Sequence, residues 1–298
     1  MTAAPAPIGP RPGDADPPLA AVEQIVALAL AEDAPWGDLS SEASTPASAT
    51  ATARLVSRVD GVLAGGLALA TAFRRADPRI EVRLLLADGA PLAPGADVAV
   101  VEGPARGILT GERVALNLAQ RLSGVATLTR AYVDAVAGTG ARIVDTRKTT
   151  PGLRVLEKAA VRAGGAHNHR HSLSDAVMLK DNHLAVLAAE GLGVAEAIRA
   201  VRSRIPHTTT LEVEVDRLDQ LDAVLEGGAD IILLDNFAPS DILTAVAQID
   251  GRALIEASGG VTLGTVRAIA ETGVDIISVG ALTHSAPALD LGLDIAVR

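Results

Sequence analysis

From residue 142 onward, short apolar runs recur, and each is followed by a stretch whose apolar residues fall three and four apart. The runs are "RIV" (142–144), "AVML" (176–179), "TLEVEV" (210–215), "DIILL" (230–234), "ALIEA" (253–257) and "DIISV" (275–279). Six strand–helix units in succession predict parallel strands, either wound into a barrel or left as an open sheet. Before residue 142 the rhythm differs. Leu19, Val22, Ile25, Val26, Leu28, Ala29 and Leu30 repeat at helical spacing and predict a helix over 18–33. The β-like stretches "ATARLVSRV", "IEVRLLLA" and "DVAVVEG" follow, separated by a helical "LALATAFRRA" and by the turn signal "DGAPLAPG". A long helical pattern from about Gly111 to Val136 bridges the two regions.

Composition narrows what these elements can do. The chain has 298 residues, 49% hydrophobic but 1% aromatic, so its core must be Leu, Val, Ile and Ala. A net charge of −10 and the lack of aromatics argue against nucleic acid as the main partner. There is no cysteine, which excludes disulfides and thiolate chemistry. The first eighteen residues, broken by prolines, read as a disordered tail rather than a signal peptide. No apolar run approaches the ~18 residues that span a bilayer, and a cytoplasmic protein is expected.

The polar residues fall in step with the strands. Asp145, Thr146, Arg147 and Lys148 follow the first run, and Lys180 to His183 the second. Glu212 and Glu214 lie in the third, and Asp235 closes the fourth. Ser258-Gly259-Gly260 follows the fifth and Gly280-Ala281 the sixth. Ionisable groups and glycines at the C-terminal ends of parallel strands mark the active face of an α/β barrel. An enzyme is the expectation.

The residues also indicate the class of ligand. Residues 142–183 hold eight Lys or Arg against four Asp or Glu, and four of the six histidines. All three lysines of the chain, Lys148, Lys158 and Lys180, fall there, against 23 arginines overall. Such a patch suits a small, multiply charged anion. Arg154, Lys158 and Arg162 fit a solvated helix face, whereas Arg147, Lys148, Arg170 and Lys180 fit a site. His167, His169 and His171 alternate and raise a zinc site, but an anion-binding loop suits "GGAHNHRH" better. Glu212, Glu214 and Asp216 share one strand face and could, with Asp235, hold Mg²⁺. Internal pairing with the basic loops is the other reading of Glu212. "ASGGV", with a helix starting at about Thr262, and "SVGALTHS" are candidate phosphate cradles. A phosphorylated sugar and an acid are the implied co-substrates.

"EDAPWGDLS", "GERVALNLAQRLSGVAT", "DTRKTTPGLRVLEKAAVRAGG", "NHR", "MLKDNH", "LEVEVD", "ILLDNF", "EASGGV" and "SVGALTHS" resemble, in order and from about residue 20 to the end, the quinolinate phosphoribosyltransferases. That resemblance implies an incomplete parallel α/β barrel of about six strands with a smaller N-terminal α+β domain. The expected boundaries are a tail over 1–18, the N-terminal domain with its bridging helix over 19–128, and the barrel over 129–282. A C-terminal segment, 283–298, is expected to pack back on the N-terminal domain. The resemblance also implies the reaction of quinolinate with phosphoribosyl pyrophosphate, Mg²⁺ as cofactor, and a homodimer whose active sites are shared. Arg113 of "GER" would come from the partner subunit. Arg147, His169 and Arg170 would hold the two quinolinate carboxylates, Thr146 would also bind substrate, and Lys148 and Lys180 would lend positive charge. Glu214 and Asp235 would face the ribose and Mg²⁺, and Ser258, Gly259 and Gly280 the 5-phosphate. Nicotinate phosphoribosyltransferase, the molybdenum-transport-associated homologue and a non-catalytic anion-binding barrel are the alternatives. Ala159, Ala166 and Ser172 depart from the family pattern, the latter two in the loop around His169.

Overall fold

A computed structural model describes residues 16–297 and divides the chain into two compact units. Most of the tail expectation lies outside these residues. Asp16 to Pro18 are described, and they are not a free tail: Pro17 is buried and Pro18 caps the first helix. Among the described residues no helix is long and apolar enough to cross a membrane.

The first unit runs to Arg130 and also takes in Thr149–Gly165 and the chain from Leu282 onward. Its elements begin with α1 (Leu19–Asp33), α2 (Leu39–Ser44), β1 (Thr50–Ser57), β2 (Gly61–Val62) and α3 (Gly66–Ala76). β3 (Glu81–Leu84), β4 (Pro91–Leu92), β5 (Asp97–Pro104) and α4 (Ala105–Ala135) follow. β1 alternates buried and accessible positions, with Ala51, Ala53, Leu55 and Ser57 inward, as a strand with one covered face must. It pairs antiparallel with β5 on one side and with β12 (Leu291–Val297) on the other, giving the order β12-β1-β5-β3. The C-terminal segment is therefore a strand of this sheet. α4 starts six residues before the predicted helix, directly after Pro104, a residue that tolerates a helix start but not a helix interior.

α5 (Arg154–Ala163) also belongs to this unit, and it corrects an expectation. Residues 156–161 are all buried, so no solvated face exists for Lys158, which is 0% exposed; Arg154 and Arg162 are half-buried. A helix covered all round its middle has no polar stripe to read. Its fully buried Glu157 accepts hydrogen bonds from Arg121 Nε (3.1 Å) and Nη2 (2.9 Å) and from Thr150 N (3.0 Å) and Oγ1 (2.7 Å). Four donors on one carboxylate offset the cost of burying its charge. Pro151 opens a turn, and the helix itself begins only at Arg154.

The second unit comprises Ala131–Lys148 and Ala166–Ala281. Its strands are β6 (Arg142–Val144), β7 (Val177–Leu179), β8 (Leu211–Val215), β9 (Ile231–Asp235), β10 (Leu254–Ser258) and β11 (Ile276–Ser278). All six runs of the sequence form strands, every pairing is parallel, and the order is β6-β11-β10-β9-β8-β7. Helices α6 (Asp181–Ala189), α7 (Val194–Arg202), α8 (Leu221–Gly227), α9 (Pro239–Ile249) and α10 (Val266–Ala270) connect them, and α11 (Ala281–His284) follows β11. β6 and β7 are the two edges of the sheet, so the barrel is incomplete between them. On that side His167 bridges to Val144 alongside β6.

Candidate active site

The inward face of the parallel sheet follows from strand parity. On β8, Leu211, Val213 and Val215 are buried apolar residues, which turns Glu212 and Glu214 the other way. Register then sets the levels. Glu214 pairs with Leu233 and Leu233 with Glu256, while Asp235 pairs with Ser258 one pleat higher. The C-terminal ends of these strands line a cavity of about 600 Å³. Thr146, Arg147 and Lys148 enter it after β6, and Lys180 after β7. Glu214, Asp235 and Ser258 come from the strands, Gly259 from the turn beyond, and His169 and Arg170 from the loop after α5.

Of the residues expected at this chain's own cavity, Gly280 is not part of the lining, and Ser278 lines it instead. Arg113, expected to serve a partner subunit, is exposed on α4 in the first unit. The phosphate cradle also differs. No helix begins at Thr262: residues 263–265 form a turn, and α10 starts at Val266. The backbone at 258–260 remains as the candidate cradle. Gly259 has φ +92°, and a Cβ there would lie 2.3 Å from Asn236 Oδ1 and 2.8 Å from Asn236 N. Asn236 itself has φ +59°, and its N–H donates to Ser258 O at 2.9 Å. Two left-handed residues thus abut at the ends of neighbouring strands, and only glycine fits the inner position.

The charged residues are held in distinct ways. Lys180 Nζ pairs with Glu214 Oε2, and the Lys180 N–H donates to His183 Nδ1 at 3.0 Å, which closes the first turn of α6. Asp235 Oδ2 accepts from Asn236 Nδ2 at 2.8 Å. Burial, with the Arg147 charge nearby, pushes the pKa of Arg170 below its usual value, as two neighbouring guanidiniums should. Such a pair is matched to a dianion.

The three alternating histidines do not converge. His167 and His171 are exposed, and only His169 turns inward. Its Nε2 lies 3.2 Å from Glu212 Oε2 and 3.4 Å from Glu256 Oε2. Glu212 is 2% and Glu256 1% exposed. Burial opposes the charge on His169, but hydrogen bonds to Glu212 and Glu256 and their charges outweigh it, and its pKa is pushed up to about 10. The Arg170 N–H, 2.8 Å from Nδ1, favours the neutral ring. That contact is local and yields to a small ring rotation, whereas two buried carboxylates cannot move away, so the ring is a cation near neutrality. Burial raises the pKa of Glu212. The sequence reading set His169 against a substrate carboxylate; the structure commits its Nε2 to Glu212 and Glu256. Glu212 takes the internal pairing.

Several lining residues went unread in the sequence: Met178, Leu233, Glu256 and Ser278. Met178, Leu233, Glu256 and Ser278 each sit two positions before an assigned residue (Lys180, Asp235, Ser258 and Gly280), and the period of two was the signal that could have found them. In the loop, the departure at Ser172 adds bonds. Its Oγ donates to Asp175 Oδ1 at 2.8 Å and accepts from Ser174 N at 3.1 Å.

Comparison with known proteins matches residues 125–294 to the C-terminal domain of quinolinate phosphoribosyl transferase and residues 38–123 to its N-terminal domain. A carboxylating nicotinate-nucleotide pyrophosphorylase of Mycobacterium leprae is 46% identical over 92% of this chain and 97% of its own. A probable one from Bacillus subtilis is 41% identical over 89% of this chain and 90% of its own. The structure of the nicotinate-nucleotide pyrophosphorylase of Francisella tularensis superposes with a TM-score of 0.88 at 36% identity, covering 94% of this chain and 98% of that one.

Proposed function

The chain belongs to the quinolinate phosphoribosyltransferase family, and on that premise we propose how its cavity carries out the reaction. The reaction is phosphoribosyl transfer to quinolinate with decarboxylation, giving nicotinate mononucleotide, pyrophosphate and CO₂ in NAD biosynthesis. The observation that carries the assignment of roles is the gathering of Arg147, Lys148, Arg170 and Lys180 with Glu214 and Asp235 in one cavity.

Arg147 and Arg170 bind the two carboxylates of quinolinate, each with a planar fork suited to a carboxylate. His169 adds cationic charge from behind them. The backbone of Ser258 and Gly259 takes the 5-phosphate, and Lys148 and Lys180 lie near the pyrophosphate. So oriented, the pyridine nitrogen attacks C1 of the ribose while the C1–O bond to pyrophosphate breaks and its electron pair leaves with that group. Positioning and fixed positive charge supply most of the acceleration. The ring nitrogen, now cationic, stabilises the electron pair left on C2 as CO₂ departs, and C2 then takes up a proton. Glu214 and Asp235 are hard oxygen donors on neighbouring strands beside this site, the donor type Mg²⁺ prefers when it accompanies phosphates. Bound there, Mg²⁺ would neutralise charge on the departing pyrophosphate. Exposed Arg113 serves a partner subunit's cavity in a homodimer, and the enzyme acts in the cytoplasm.

Incubation with quinolinate, phosphoribosyl pyrophosphate and Mg²⁺ should yield nicotinate mononucleotide and CO₂ without ATP, and EDTA should stop it. Undiminished turnover in EDTA would remove the metal from the proposal. Dependence on ATP with nicotinate as the acceptor would favour a nicotinate phosphoribosyltransferase instead.

A further inference from the structure

Glu256 is a carboxylate in the middle of a strand, at a level where the paired residues are Leu233 on β9 and Ile276 on β11. Both directly paired neighbours are apolar, and the next carboxylate at this level is Glu214, one strand further on. Packing does not call for an ion pair there, since exchanging a whole buried ion pair for apolar groups of similar size is often neutral or stabilising. One of its oxygens, Oε1, is buried and accepts no hydrogen bond; the other faces His169 Nε2. Among the described residues its ionic contact is to a histidine whose own place in the loop is fixed from three directions.

Those directions matter. The His169 N–H donates to Asp145 Oδ1 at 2.8 Å, and Asn168 Nδ2 donates to Asp145 Oδ2 at 2.7 Å, which ties the loop to the end of β6. The ring reaches inward to β8 and β10 through Glu212 and Glu256. Next along the chain, Arg170 reaches the β7 side, with Nη1 donating to Ala176 O at 3.2 Å and Nη2 lying 3.4 Å from Met178 Sδ. Residues 167–170 therefore occupy the gap that the two edge strands leave. His169 is the one inward anchor of that span, and Arg170 is the residue the anchor sets.

We propose that Glu256, together with Glu212, acts through His169 to position Arg170 for a carboxylate of the substrate. Glu256 is thus a positioning residue for quinolinate binding and touches neither substrate. The inference rests on the assignment of Arg170 to quinolinate made above. Two electrostatic effects compete at Glu256. Its charge repels a dianion directly, but it also holds the His169 cation and the loop in place. The second wins, because the carboxylate is 1% exposed and its Oε2 lies 3.4 Å from the cationic His169 Nε2.

The test is steady-state kinetics on Glu256→Gln, which keeps the size and one acceptor but removes the charge. The KM for quinolinate should rise about tenfold, which corresponds to about 1.4 kcal/mol, while the KM for phosphoribosyl pyrophosphate stays within about twofold on the same scale. Urea stability should fall near neutral pH, because the buried His169 cation loses one of its two carboxylate partners. Glu256→Met, an apolar substitute of similar length, should give the same split. In a His169→Ala background, Glu256→Gln should have no further effect on the quinolinate KM. A lower quinolinate KM in Glu256→Gln, an equal rise in both KM values, or additivity with His169→Ala would each overturn the proposal. Arg170→Ala separates the two levels. If it leaves the quinolinate KM unchanged, the substrate assignment fails and the proposal with it. If it raises that KM and Glu256→Gln does not, the proposal alone fails.

Discussion

Replacing Gly259 with Ala tests the phosphate cradle most sharply, because the strain can be apportioned from the geometry. The backbone at φ +92° costs a residue with a Cβ about 1–2 kcal/mol. The new Cβ would also stand 2.5 Å from Asn236 Cγ and 2.8 Å from Asn236 N. The side-chain amide can rotate away, but the backbone nitrogen is tied to Ser258 O at 2.9 Å. Overpacking of this kind adds about 1–3 kcal/mol, so the total is about 2–5 kcal/mol. Gly260 supplies the internal control. Its φ is +59°, yet nothing lies within 4 Å of a Cβ placed there, so Gly260→Ala carries the backbone cost alone. Both variants are compared by urea unfolding and by steady-state kinetics. Gly259→Ala should lose more stability than Gly260→Ala or, if the turn shifts to relieve the clash, raise the KM for phosphoribosyl pyrophosphate about 10- to 100-fold, tenfold for each 1.4 kcal/mol. The quinolinate KM should hold in either case. Equal effects of the two substitutions, or a Gly259→Ala enzyme unchanged in both stability and that KM, would refute the reasoning.

Two further outcomes follow from the site. Lys148 is exposed at the cavity and outside the core, so Lys148→Ala should abolish turnover with an unchanged urea midpoint, and near-normal activity would remove its role. If Arg113 serves the partner's cavity, mixing Lys148→Ala with Arg113→Ala subunits should restore activity that neither has alone, and silence in the mixture would count against a shared site. The second outcome concerns pH. His169 has its pKa raised from 6.5 to about 10, so its contribution to stability is complete below pH 6.5 and is lost as pH rises through 10. The groups that face it are Glu212, Glu256, Arg170 and Asp145. Between pH 7 and 9 the wild type should therefore lose about 1.4 kcal/mol per pH unit more than His169→Gln in urea unfolding. Parallel pH profiles would mean that the ring is not charged.

What the sequence revealed and what it hid have separate physical causes. Six parallel strands were legible because each apolar run carries a polar residue or glycine at its end, where strands deliver chemistry. Glu256 was not, because one Glu inside "ALIEA" is compatible with either face until Ser258, two positions on, has been assigned to the cavity. Lys158 was misread because a helix of mixed composition looks amphipathic even when neighbours cover it all round. "GGAHNHRH" could be recognised as a loop of donors, but the inward turn of His169 depends on Glu212 and Glu256, more than forty residues away in sequence. The start of α10 was misplaced because Gly259 and Gly260, both at positive φ, lead into a turn rather than directly into a helix.

The incomplete barrel also bears on solubility. An open parallel sheet exposes two rows of unpaired backbone groups, which are a template for another chain to extend. Here the edge strands β6 and β7 are three residues long, whereas β8, β9 and β10 between them have five. The outer side of β6 begins at an exposed arginine, Arg142, and is already bridged by His167. The gap that admits Arg170 to the cavity is therefore bounded by edges too short, and on the β6 side too occupied, to recruit a foreign strand.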